Sequence, residues 1–286
     1  ISTVRLFDAG AKRRSRRAGI LTFFLLPPAI AAGVPTKLLD AVPSDIVAGH
    51  LFAASEDFQP PIDDAGAVPL LRFVLDQIRH LGLLSQTDST VRRWLDVAAA
   101  FADLIRFPHA AVLFDIQAAE RPDGGHRLSR LAAAVVVQCG DQHAVFQRRI
   151  QYLLNTYTNT EESVLSREAI GGCEVTTLRD RRLPDWAVLS WGQLGDRYVV
   201  AIGDRSFRRI AAAVENRSTS LAEDSWLGKV SAETKLADAS WALYLQMDRL
   251  RRNFDSCLDD KIRRVTDALR LDRADGLLCT VGRTGR

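Results

Sequence analysis

Nineteen consecutive residues without a charge, Ala18 to Thr36, follow a cluster of five basic residues: Lys12, Arg13, Arg14, Arg16 and Arg17. Soluble helices carry a polar face, so such a run restricts the segment to an apolar environment. Ile20 to Leu26 forms the apolar centre, and Ala29-Ile30-Ala31 supplies the small-x-small pattern that a signal peptidase reads. A basic region, an apolar region and small residues, in that order, are the layout of an export signal. The competing expectation is an uncleaved anchor. A spanning helix needs about 20 apolar residues, and Pro27-Pro28 would kink this one near its centre. In both cases the basic cluster stays cytoplasmic and the body is exported. Ser15-Arg16-Arg17 also suggests a twin-arginine signal with its apolar residues shifted, and a buried helix with a basic flank is the soluble alternative. We expect residues 1–40 to be a signal peptide or membrane anchor. The rest is then periplasmic or in the cell envelope, with membrane contact through residues 18–36.

Charge supports that division. Seven Lys/Arg against Asp8 and Asp40 give residues 1–40 a charge of +5, and the whole chain carries +3, so the body carries −2. A near-neutral body lacks the basic footprint of nucleic-acid binding. The chain has 286 residues, 47% hydrophobic and 26% charged, which fits a globular protein and excludes wholesale disorder. Cys139, Cys173, Cys257 and Cys279 are too few for a disulfide scaffold. Export would let them pair in three ways. Each sits in an apolar stretch, which also fits free buried thiols.

Along the body, Ile46–Phe52 reads as a strand and Pro60-Pro61 marks a loop. Leu71, Val74, Leu75, Ile78 and Leu81 recur at helical spacing, as do Val91, Trp94, Leu95, Ala98, Phe101 and Ile105. His109–Ile116 and Leu131–Cys139 flank a turn-rich stretch, Arg121 to His126, and read as a hairpin. Asp141 is placed to cap a helix striped by Phe146, Ile150, Leu153 and Leu154. Residues 164–203 read as an antiparallel meander with strands at 173–178, 186–191 and 198–202, and a short helix follows at 206–214. Helical residues fill 221–236. Trp241–Met247 is a strand, Asp248 opens a long helix, and Ala274–Val281 is a further strand.

Strand, helical material and strand therefore occur at 46–52, 68–105 and 109–116, and again at 241–247, 249–270 and 275–281. This is a weak internal repeat. It divides the body into a first module at 41–236 and the start of a second, truncated one at 237–286. A final strand with no later partner would expose an edge, so we expect more chain beyond Arg286.

Three stretches carry a resemblance: Val42-Pro43-Ser44-Asp45 after the signal, Leu183-Pro184-Asp185-Trp186 with Ser190 to Gly203, and Trp241 to Asp248. Over residues 40–286 the chain resembles a group of large exported or membrane-anchored bacterial proteins, a domain of unknown function with repeated α/β modules. The resemblance implies export and a modular protein. It brings no catalytic residue with it.

Motifs for chemistry are sparse. There is no G-x-S-x-G elbow and no phosphate-binding loop, so neither an esterase-like nucleophile nor a dinucleotide is expected. His109 and Asp115 open and close one strand, so a hydrolytic triad would need them, or His126, gathered with a serine such as Ser190. Asp123-Gly124-Gly125-His126, Asp63-Asp64 and Asp259-Asp260 lack metal-site spacing and read as solvated turns or helix surface. Gly203-Asp204-Arg205-Ser206 enters a helix with Asp204 as its cap. Trp186 and Trp191, five residues apart, should point to opposite faces of one strand. The arginine runs at 179–182, 208–209 and 249–252 read as solvated faces.

The sequence thus predicts an α+β fold, antiparallel sheets with amphipathic helices packed on them. The expected function is non-catalytic, a binding or scaffold module of an exported cell-envelope protein. No catalytic, cofactor or metal residue is assigned. The alternatives are a hydrolase with an unrecognised site and a membrane-tethered accessory protein.

Overall fold

A computed structural model describes residues 3–7, 34–53, 107–120, 126–144, 146–148, 150–151, 161–234, 236–254 and 275–282. The helical stripes expected at 71–81 and 91–105, the metal-like pairs Asp63-Asp64 and Asp259-Asp260, and His80 and Cys257 lie outside the described residues. So do residues 8–33, which hold the basic cluster and most of the uncharged run.

Ten strands form one sheet: β1 (Thr3–Phe7), β2 (Ala48–Phe52), β3 (His109–Glu120), β4 (His126–Gln138), β5 (Ser163–Ile170), β6 (Cys173–Asp180), β7 (Leu189–Leu194), β8 (Arg197–Ile202), β9 (Ala239–Gln246) and β10 (Gly276–Gly282). Their order is β1-β10-β9-β2-β3-β4-β8-β7-β6-β5. Every neighbouring pair is antiparallel. The described helices are few and short: α1 (Thr36–Asp40), α2 (Ser206–Val214), α3 (Ser225–Thr234) and α4 (Met247–Phe254). The fold is α+β and dominated by the sheet. β9 and β10, from the stretch beyond 236, continue the sheet of the preceding residues because β9 pairs directly with β2. β10 is paired on both sides, by β9 and by β1, so the exposed edge expected there is absent.

The meander runs through four strands, one more than its apolar runs announced. β5 and β6 are joined by Gly171-Gly172, with φ of +60° and +72°. Both positive angles belong to the two-residue hairpin turn that matches strand twist, and glycine adopts them without steric cost. The strand expected at 186–191 begins three residues later. Trp186 lies in the preceding turn and Trp191 within β7, so the two do not face each other across one strand.

One sheet face carries the main core. Small residues line it, among them Ala110, Ala132, Ala134, Ala201 and Ala242, all buried. Their size lets α2 pack close with Phe207, Ile210, Ala211 and Ala213. Trp226 of α3 meets Tyr244 of β9 edge-on at 5.7 Å. Gly203 ends β8 at φ +94°, and a Cβ there would lie 2.3 Å from the Leu131 carbonyl oxygen. The residue that caps α2 is Arg205, in the left-handed region at φ 62°, and not Asp204. Asp204 ion-pairs with Arg205 instead, and the Ser206 hydroxyl donates to the Ile202 carbonyl at 2.8 Å.

Candidate functional site

The opposite sheet face is built differently. Cross-strand register places Thr176, Trp191, Val200, Val135, Ala111, His50 and Leu243 side by side in one row. Two residues along each strand, Tyr198, Val137, His109, Phe52 and Trp241 form the next row. Residues two apart on a strand share a face, so aromatic and imidazole rings run across its middle. His109 stacks on Phe52 at 5.1 Å, and His50 lies between His109 at 5.7 Å and Trp241 at 5.6 Å.

Both histidines are neutral packing groups. Burial pushes His50 down to about 3, and its closeness to His109 further opposes charging the ring. Burial also lowers His109, against the opposing pull of its hydrogen bond to the Phe107 carbonyl at 2.9 Å. A buried imidazole with no carboxylate partner loses its charged form first. Asp115 is six residues further along β3, roughly 20 Å away at strand rise. It ion-pairs with Arg130 at 3.0 Å. His126 opens β4 opposite Glu120. Ser190 shares its hydroxyl with Thr177 at 3.2 Å. The structure therefore does not gather His109, Asp115, His126 and Ser190 into a triad.

Past β4 the chain turns through a single 3-10 turn, Gly140–Gln142, and the described residues of 143–151 are helical. Cys139 stands at the start of that turn without a side-chain cap, and Asp141 occupies its first turn, so the cap expected from Asp141 does not form. The stretch folds back onto the sheet because Phe146 and Ile150 are apolar at helical spacing. Phe146 stacks on Tyr198 at 5.6 Å and meets Phe107 edge-on at 5.2 Å. These residues, with Val137, Leu178 and Trp191, form a second, smaller core.

Beside that core the helical stretch and β6–β8 border a half-open hollow of about 390 Å³. Trp191 and Tyr198 supply aromatic walls, and His143, Gln147, Thr176 and Gln193 supply amide, imidazole and hydroxyl groups. Cys173 and Glu174 complete one side. Burial raises the Tyr198 phenol, which stays protonated and available as a donor. His143 Nδ1 is buried and has no hydrogen-bond partner among the described residues. An aromatic wall with a few convergent polar groups suits a small polar ligand that also has an apolar face.

Among the described residues, no group of three or more His, Cys, Asp or Glu converges to hold a metal. Cys139, Cys173 and Cys279 are free thiols, and burial raises Cys139 and Cys279 above the ordinary thiol range. The arginine runs are mixed. Arg182 is held by Asp180 and Glu162, and Arg208 by Glu168. Arg209 pairs with Asp45 and lies 4.2 Å over the Phe114 ring, so it is packed as well as solvated.

Compared with known proteins, the chain matches no family model, no curated protein and no solved structure. The sequence marks Trp191 by its apolar run and His143 as one of five histidines, and gives Gln147 and Thr176 no mark. Their only signal is convergence from separate elements, which no local spacing encodes.

Proposed function

We propose that this chain is the body of an exported cell-envelope protein that binds a small polar ligand in the hollow between β6–β8 and the helical stretch after β4. The carrying observation is the hollow itself, where Trp191 and Tyr198 stand beside the amides of Gln147 and Gln193. Such a surface binds through stacking and hydrogen bonding, and no nucleophile is needed for either. Export is supported by the basic cluster and the uncharged run that follows it. The packed body resumes at Val34, which is buried and donates its backbone N–H to the Ala239 carbonyl at 2.9 Å. That is just past the small residues Ala29-Ile30-Ala31, so processing there would leave Val34 in place, while it would remove β1 and leave β10 as an edge of the sheet. Among the described residues no helix is long and apolar enough to cross a membrane. The weak repeat belongs to the same proposal: β2–β3 and β9–β10 are antiparallel pairs lying side by side around the β2–β9 junction.

Screening envelope saccharides and short peptides by ligand-observed NMR tests the binding role. A hit that weakens at least about tenfold in Trp191→Phe or Gln193→Ala, roughly 1.4 kcal/mol, supports it. Binding unchanged by both substitutions would remove the hollow from the proposal. Fractionation with N-terminal sequencing tests export. A product starting near Ala32, or an intact chain in the membrane pellet, supports it, and an intact soluble cytoplasmic product overturns it.

A further inference from the structure

The polar groups around the hollow are unevenly divided between donors and acceptors. Thr176 of β6 pairs with Trp191 of β7, and Gln193 of β7 pairs with Tyr198 of β8. Val175 pairs with Gly192, so Glu174 stands level with Gln193 one step further along. Residues two apart on a strand share a face, which gathers Glu174, Thr176, Trp191 and Gln193 on one side of the sheet. Glu174 is the carboxylate of the lining, and no Lys or Arg stands among the described residues that form it.

Most of the remaining groups can accept. One amide hydrogen of Gln193 already goes to the Gly195 carbonyl at 3.0 Å, and its oxygen can only accept. A carboxylate accepts through both oxygens, and the Thr176 hydroxyl has two lone pairs. His143 Nδ1 is buried with no hydrogen-bond partner among the described residues, and a neutral imidazole offers one ring nitrogen as an acceptor. The aromatic walls add to this. Their ring faces are negative and attract a cation within about 6 Å of the ring centre. An anion would meet Glu174 and those faces with no cation in the lining to offset them.

We propose that the hollow takes a small ligand bearing a protonated amine, with its ammonium at the Glu174 carboxylate beside the Trp191 wall. This rests on the hollow being the binding site and adds the charge of what enters it. An ammonium carries three donors and no acceptor, the complement of this lining. Arg167 is the neighbour that already uses Glu174. It faces Thr176 from β5 and reaches the carboxylate at 3.4 Å, with 72% and 69% of the two side chains exposed. So exposed a pair contributes little, and a ligand amine can displace Arg167. Arg167 is therefore a competitor for the same carboxylate.

Glucosamine, glucose and glucuronate present one pyranose ring with a cation, no charge and an anion. Their binding to the full chain is compared by ligand-observed NMR at about pH 6, where the amine is protonated and carboxylates are ionised. Glucosamine is expected to bind at least about tenfold more tightly than glucose, and glucuronate more weakly than glucose. Glu174→Gln should lower glucosamine affinity about fivefold and leave glucose unchanged. Arg167→Ala should raise glucosamine affinity, because it frees Glu174. Equal binding of glucosamine and glucose, both weakened by Trp191→Phe, overturns the amine class and leaves the hollow a binding site. Glucosamine binding that Glu174→Gln leaves unchanged, or that Arg167→Ala lowers, also overturns it. Absence of binding by all three sugars overturns the amine class as well, and the wider screen of saccharides and peptides then decides the hollow separately.

Discussion

The two faces of the sheet solve the same burial problem with different materials. The main-core face sets alanines among larger strand residues such as Leu51, Phe114 and Tyr244, and the helices come to it with Phe207, Ile210 and Trp226 from α2 and α3. The other face supplies the bulk itself, from Trp241 through Phe52, His109 and His50 to Tyr198 and Trp191. Small side chains permit close helix approach. Large rings stand off from one another, and where the helical stretch after β4 covers only part of them, a hollow remains. The hollow of the proposed binding site therefore lies on the aromatic face, and both faces contribute buried area.

The sharpest way to break this division is Gly203→Val. The valine would need φ +94° and would drive its Cβ into the Leu131 carbonyl and the Ala132 Cα, where β4 meets β8. We expect a loss of more than about 4 kcal/mol or failure to fold, read by urea unfolding, with the hollow lost only because the fold is lost. Phe146→Ala acts on the other face. It removes a fully buried ring stacked on Tyr198, with an expected cost of about 3 to 4 kcal/mol. Because Phe146 holds the helical stretch against β8, ligand binding should also weaken in the fraction that stays folded. Binding unchanged in a folded Phe146→Ala protein would show that the hollow does not depend on this core.

Acid should single out the aromatic face. His50 falls to about 3 in the folded protein and His109 is also lowered, while an unfolded histidine titrates near 6.5. The unfolded chain then binds more protons, so stability is full above about 6.5 and is lost as pH falls from there toward 3. Each histidine adds at most about 1.4 kcal/mol per pH unit. The urea midpoint should drop across pH 6.5 to 4, and His50→Phe should flatten that drop. An equal slope in the variant would assign the acid sensitivity elsewhere. Arg182→Ala serves as the contrast away from both faces. Asp180, held down to about 2 chiefly by Arg182, would return toward the ordinary carboxylate range. Its contribution, present above about 3.8 and lost toward 2, comes from a pair at the end of β6 whose Arg182 is solvated, so the expected cost is under about 1 kcal/mol.

Legibility followed burial. The β3–β4 hairpin was readable because Leu131–Cys139 is apolar on both faces and turn residues precede it. β8 and β9 were readable for the same reason. β5 was not. Ser-Val-Leu-Ser-Arg-Glu-Ala-Ile has no two-residue alternation, because neither of its faces is buried and no selection of apolar positions could mark it. Pairing to β6 through Gly171-Gly172 makes it a strand. Asp204 and Asp141 were misplaced as caps for a related reason: the chain enters α2 through a left-handed Arg205 and leaves β4 through a 3-10 turn. Each is a geometry that neighbouring strands impose and that cap preference alone does not specify.

By itself, the sequence determined the element types where apolar runs meet turn residues, the antiparallel α+β character, and the absence of familiar catalytic spacing. Those properties are local, written within a few residues of one another. Only the tertiary structure decided that β9 lies beside β2, that His50 and His109 face each other as neutral rings, and that Gln147, Thr176 and Gln193 surround one hollow. Strand order and side-chain convergence depend on which distant segments share a face, and that is settled by packing the whole sheet at once.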